Sequence, residues 1–333
     1  MSVSKLIMRT MPFFISRIIV YALFAVASFL FLGLMLGFSI LLFKMFEFGA
    51  GFFFIIILGT FFTVLAALRF VERYVLYMVK VGHVSVITEI LRNGDVPEGK
   101  GQLAYGKEQV RENFGSANVC FVVDKLVLGA IKQIQRWMMR IGNFFSFVPG
   151  SQNIIAILNR ILAVSLGYID EAILSYIMLR KSEKREETVW KSAADGVVLY
   201  AQSWKKIITT AAGIVAFVYI LNIAVFLMAV FPLMGLARLL ASNAGAESFL
   251  GFLAVVGAYV ITTVVKRALI DPIATVAMIR AYQMNIKGME PSMDLQQKLL
   301  NVSSKFKQLF NKRNEDVPEV TTPPTNKGAT VTP

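Results

Sequence analysis

The stretch Ile18–Phe43, IIVYALFAVASFLFLGLMLGFSILLF, decides the fold, because it contains no charged side chain. An uncharged run of about 18 or more residues is long enough to cross a hydrocarbon layer roughly 30 Å thick as a helix. Buried helices of soluble proteins rarely sustain such a run. It exceeds the roughly 7–15 apolar residues of a secretory leader, and Lys44 follows it instead of a small-residue cleavage site. It reads as a permanent first span. A second uncharged run, Phe52–Leu68, returns after a turn at Lys44–Gly51 that holds one Lys and one Glu.

The rest of the composition agrees. Apolar residues make up 56% of the chain and charged residues 17%, whereas a soluble domain carries roughly a quarter charged. An ordinary globular enzyme is excluded. One histidine, His83, and one cysteine, Cys120, cannot supply the four ligands of a structural zinc site. No P-loop, paired glycine fingerprint or nucleophile elbow is present. The reading is therefore non-enzymatic, with no cofactor and no metal. The net charge of +13 points to anionic lipid headgroups rather than nucleic acid in so apolar a chain. Lys5, Arg9 and Arg17 precede the first span with no acid among them, which predicts a cytoplasmic N-terminus.

Past Leu68 the helical pattern continues, with Arg69, Glu72, Arg73 and Lys80 on a charged stripe, until the break NGDVPEGKG at Asn93–Gly101. Gln102–Ser116 is a polar connector. In Asp124–Val148, Lys125, Lys132, Arg136 and Arg140 share one helical face, as in a basic helix facing lipid headgroups. Ile154–Leu179 is apolar but carries Asn159, Arg160, Asp170 and Glu171. Trp190–Lys206 is amphipathic, with Trp190 and Trp204 placed like interfacial anchors. Ile207–Leu236 and Phe249–Val265 are clean spans joined by the charge-balanced turn Arg238–Glu247. The last helix runs on through Ala268–Tyr282, with a kink expected at Pro272.

The positive-inside rule then constrains the middle. The first two spans leave the chain inside and the last two need it to start inside, so 113–181 crosses twice or not at all. A hairpin of two polar-tinged helices is favoured. The fold class is all-α: a polytopic helical membrane protein of about six transmembrane helices, four of them clear (18–43, 52–68, 207–236 and 249–265), plus amphipathic interfacial helices. The membrane domain covers 1–284. An amphipathic basic cytoplasmic helix covers 285–314, with Leu295, Leu299, Val302, Phe306 and Leu309 opposite Lys298, Lys305 and Lys307, and Ser292 as N-cap. A disordered tail follows at 315–333. The predicted location is a cell membrane, plasma or inner, with both termini cytoplasmic.

Asp170 and Glu171 are the sharpest chemical feature, because a carboxylate inside a membrane persists only with a partner or a function. Either Asp170 binds a cation, or it pairs with Arg160 or Lys132. Asp271, before Pro272, is a second acid. Tyr168, Tyr176, Trp137 and Tyr259 lie near these acids in the sequence, and aromatic faces beside a carboxylate suit an organic cation. Tyr168-Ile-Asp-Glu-Ala and Leu269-Ile-Asp-Pro-Ile also echo one another.

From about Asp124 onward the chain resembles the choline transporter-like family of multi-span membrane proteins. Leu128-Gly-Ala-Ile-Lys-Gln-Ile-Gln is similar to that family's small-apolar helix ending in Gln and a basic residue. Ala172-Ile-Leu-Ser-Tyr-Ile-Met, followed by Ser192-Ala-Ala-Asp, is similar to its Ala-Tyr-Ile-Met helix and the segment after it. Leu269-Ile-Asp resembles its last helix, and Asp271 matches the acid there. Members typically have about ten spans and a large extracellular loop, which this chain lacks. Carboxylates in apolar helices beside aromatics, supported by this resemblance, predict a transporter-like protein moving or binding a small choline-like cation, with Asp170, Asp271, Tyr168 and Tyr176 as substrate-binding residues; of these the resemblance itself implies Asp271. The alternative is a membrane scaffold or lipid-organising protein with no transport cycle. Lipids are the expected partners, and a homo-oligomer is compatible with either reading.

Overall fold

The computed structural model describes residues 1–46, 50–114, 117–142, 151–183 and 187–315, with most of the side chains outside 28–68, 113–120 and 139–162. Part of the expected turn at 44–51, the segment 143–148, the Arg140 and Cys120 side chains and the tail beyond 315 lie outside these described residues. Among the described residues the chain is all helical, without a strand.

A short helix α1 (Val3–Arg9) leads into α2 (Met11–Phe46) and α3 (Ala50–Asn93). The expected continuation of α3 past Leu68 is met. It stops where Gly94 takes φ +88° and gives its N–H to the Ile90 carbonyl. A left-handed residue there ends a helix at little cost only if it lacks Cβ. After α4 (Gln102–Phe114) and α5 (Ala117–Gly142) come two long helices, α6 (Ser151–Glu183) and α7 (Val189–Leu240). Thr188 caps the start of α7 by accepting from the Lys191 N–H.

The turn between α7 and α8 (Ala244–Val265) is capped by Asn243, which accepts from Ala246 N–H at 2.8 Å. One π-helical turn, Lys266–Ile270, joins α8 to α9 (Asp271–Ile286). Where the proline kink is expected, the chain widens by one residue just before Pro272. A proline ring collides with the carbonyl four residues back, and a π-turn relieves that collision without breaking the helix.

Among the described residues, length and apolarity single out three helical segments as able to cross a membrane: Arg69–Asn93, Val189–Leu240 and Ala244–Ile286. The pair Val3–Arg9 and Met11–Ala27, bent by 61°, makes a fourth if it is counted as one span. About six spans are thus not reached among the described residues. The three segments also differ in surroundings. Half of the most apolar stretch of Arg69–Asn93 is buried inside the protein, against 11% and 17% for the other two. From Val81 to Thr88 every residue is buried, so this part of α3 is apolar because it is core. The later parts of α7 and α8 instead turn Phe217, Ile220, Phe231, Phe252 and Val260 outward, as lipid-facing helices do.

The core gathers the last third of α3, the second half of α6, the first part of α7 and one face of α9. Two expectations change there. Trp190 is 8% exposed, with the Lys312 ammonium 5.2 Å from its ring centre, so it packs as core instead of anchoring at an interface. The predicted single tail helix is two, α10 (Met293–Val302) and α11 (Ser304–Glu315), broken at Ser303. Ser292 caps α10 as expected, accepting from Leu295 N–H. Leu299, Phe306 and Leu309 are fully buried against the bundle. Burying each contributes about 2 kcal/mol, so the apolar stripe of the tail is satisfied within the protein.

Candidate functional site

The acids of α6 meet a lysine of α3. Lys80 Nζ lies 3.0 Å from Glu171 Oε1 and 3.5 Å from Asp170 Oδ2, and the two acids are 6% and 4% exposed. Residues adjacent on a helix point about 100° apart, so both reach Lys80 only because it sits between them. Asp170 Oδ1 also accepts from the Glu171 N–H at 2.9 Å. Asp124 of α5 is buried and interacts electrostatically with Lys80 and Asp170.

Lys80 is therefore the ion partner of Asp170, in place of Arg160 or Lys132. Arg160 turns to α7, where its Nε donates to Tyr219 Oη at 3.1 Å. Lys132 is exposed, as are Lys125 and Arg136. Taking these charges out of water costs several kcal/mol each, which close pairing offsets.

A second knot forms at the π-turn. Asp271 Oδ1 accepts from Lys266 Nζ at 2.6 Å and from Tyr168 Oη at 2.7 Å. The two halves of the sequence echo, Tyr168–Ala172 and Leu269–Ile273, thus touch through Tyr168 and Asp271. A cavity of about 580 Å³ connects the knots, with Arg17, Arg69, Lys80, Glu171, Arg267 and Asp271 on its wall.

Arg17 is the least expected member. It precedes the first span and reads as an orientation signal, yet it is 7% exposed, and its Nε and Nη2 have no hydrogen-bond partner. Glu171 Oε2 likewise has none. His83, one turn beyond Lys80, is fully buried between Phe13, stacked at 5.0 Å, and Phe14, edge-on at 5.4 Å. His83 therefore packs as core.

Of the four residues expected to bind substrate, Tyr168 and Asp271 are in direct contact and Asp170 sits behind Lys80 beside them. Tyr176 does not join. It lies against Gly196 of α7 and lines a different cavity, of about 640 Å³, with Arg180, Arg280 and Glu290. Tyr259 is 67% exposed on α8, so it takes no part in an aromatic cage.

Residues the sequence reading missed include Gln133 of α5. Its Oε1 accepts from Ser303 Oγ at 2.7 Å and from Lys305 N–H at 3.0 Å, while its Nε2 donates to Ser304 Oγ at 3.1 Å. One side chain thereby caps α11 from another helix, and no local pattern announces it. Comparison with family models, with curated proteins and with solved structures finds no match to this chain.

Proposed function

We propose that this chain is a multi-pass membrane protein that binds lipid headgroups and organises lipid, without a transport cycle. The observation that carries the reading is that both expected cation-binding acids already have lysine partners, Lys80 for Asp170 and Lys266 for Asp271. The quaternary ammonium of a choline-like cation has no N–H to donate, so putting it in place of either lysine ammonium would exchange a charge-assisted hydrogen bond for a weaker contact. The exposed lysines and arginine on α5 support the same reading, because each contributes about 1 kcal/mol near an anionic leaflet. Cytoplasmic termini follow from the positive-inside rule. The count of about six spans depends on 113–181. The Arg160–Tyr219 contact, which sets the middle of α6 beside the apolar part of α7, supports a hairpin there.

The test is uptake of labelled choline into proteoliposomes under an imposed gradient. Flux at the empty-liposome level is expected for the natural chain and for Asp170→Asn alike. Flux in the natural chain that Asp170→Asn abolishes would sink the proposal and favour the second reading, a carrier of small organic cations. That second reading draws on the cavity wall, where Glu171 and Asp271 stand near Tyr21 and Tyr77.

A further inference from the structure

The cavity between α2, α3, α6 and the π-turn is lined by charges of both signs. Lys80 is shared by Glu171 and Asp170, and Asp271 pairs with Lys266. Arg17, Arg69 and Arg267 lie on the wall together with Glu72. Guanidiniums attract an anion, and their planar fork geometry suits phosphate oxygens. Arg17 carries the argument furthest: it is deeply buried and lines the cavity, and two of its nitrogens have no partner. A buried guanidinium with unfilled donors costs several kcal/mol unless something accepts from it.

Glu171 adds the opposite requirement. Its Oε2 is buried and accepts nothing, while its Oε1 is held by Lys80. A ligand filling both demands carries an anion and, next to it, an N–H or O–H donor. The surroundings add a third property. Immediately after Arg17, α2 turns Ile18, Ile19, Leu23, Val26 and Leu30 outward, and beside Arg69 on α3 Phe70 and Val71 are exposed. A polar cavity opening onto an apolar belt fits an amphiphile.

We infer that this cavity seats the phosphodiester of one membrane phospholipid whose headgroup bears a hydrogen-bond donor, of the ethanolamine or glycerol type. Arg17, Arg69 and Arg267 hold the phosphate, Glu171 accepts from the headgroup, and the acyl chains leave along the outer face of α2. The assignment rests on the lipid-binding reading above and gives that reading a site and a headgroup class.

The full chain in nanodiscs of defined lipid is the material for the test, with co-released lipid read by native mass spectrometry and affinity read by competition. One phosphatidylethanolamine or phosphatidylglycerol per chain is expected, held about tenfold more tightly than phosphatidylcholine, a difference of one charge-assisted hydrogen bond. Arg69→Gln and Arg267→Gln each weaken retention about tenfold. Both side chains are exposed, so the folded bundle survives their loss even where Arg17→Gln does not fold. Arg238→Gln, on the turn between α7 and α8, leaves retention unchanged.

Four results would overturn the assignment. These are unchanged retention in both arginine variants, an equal loss in Arg238→Gln, phosphatidylcholine held as tightly as phosphatidylethanolamine, or displacement by inorganic phosphate or glycerophosphoethanolamine at the lipid's own affinity. The last would make the ligand a soluble phosphate ester. Choline flux would overturn the proposed function through a different measurement, so the two failures are distinguishable.

Discussion

The two parts of α7 lie on one unbroken helix and obey opposite rules. From Trp190 to Ser203 nearly every residue is buried, and many are small: Ser192, Ala193, Ala194, Gly196 and Ala201. From Phe217 to Leu240 the large apolar residues face out, with Ile220, Met228 and Phe231 each about two-thirds exposed. In the first part, small side chains let neighbouring helices approach closely, and stability comes from close packing. In the second, one side packs against α8 and the large apolar residues on the other side are left uncovered by the protein. Apolar composition is common to both, so it does not tell them apart. Local side-chain size and the partners across the interface do.

The largest effect that would sharpen this contrast lies in the packed region. Lys80→Met leaves Asp170 and Glu171 buried without their cation, which costs about 3–5 kcal/mol. Thermal unfolding in detergent measures it. A variant as stable as the natural chain at neutral pH would show that the cluster is wet rather than buried.

The next effect compares the two parts of α7 directly. A Cβ at Gly196 would stand 3.0 Å from Ile173 Cγ2 and 3.1 Å from Tyr176 Cδ1, whereas at Gly213 nothing lies within 4 Å. Gly196→Leu is expected to cost about 3 kcal/mol through overpacking, while Gly213→Leu stays within about 0.5 kcal/mol. Equal melting temperatures for the two variants would break the comparison.

A smaller effect tests the tail. Gln133→Ala removes three hydrogen bonds at the start of α11, leaving the Ser303 cap on Phe306 N–H, and is expected to lower stability by about 1–2 kcal/mol. Faster hydrogen exchange confined to 304–313 is the signature. Loss of exchange protection across all helices instead would mean that the tail holds the bundle together.

Smallest of all, Arg238→Ala breaks the exposed pair with Glu247, in which the two side chains are 72% and 53% exposed. It is expected to cost under about 1 kcal/mol, measured in the same melting assay.

Much of the fold was legible in the chain. The uncharged runs and the helix extending past Leu68 followed from periodicity, and the break at 93–101 from turn residues whose backbone needs are local. The cap at Ser292 is a three-residue pattern of the same kind. The candidate site was legible only in its acids. Asp170, Glu171 and Asp271 stand out because carboxylates are rare in apolar helices, but Lys80 is 90 residues away along the chain from Asp170 and looks like any stripe lysine. Arg17 resembled an orientation charge, since an arginine at the start of a span reads the same whether it faces headgroups or a cavity.

The sequence by itself therefore determined an all-helical membrane chain, its main helix boundaries and the presence of costly buried acids. All of these depend on spacing and composition within a few turns. Only the tertiary structure decided which apolar faces are core and which stay exposed, that the tail's stripe packs on α5 and α7, and that the acids of α6 take their lysine from α3. Those outcomes depend on which distant helix lies across the interface. A side chain's type and its neighbours in the sequence are the same whichever partner arrives.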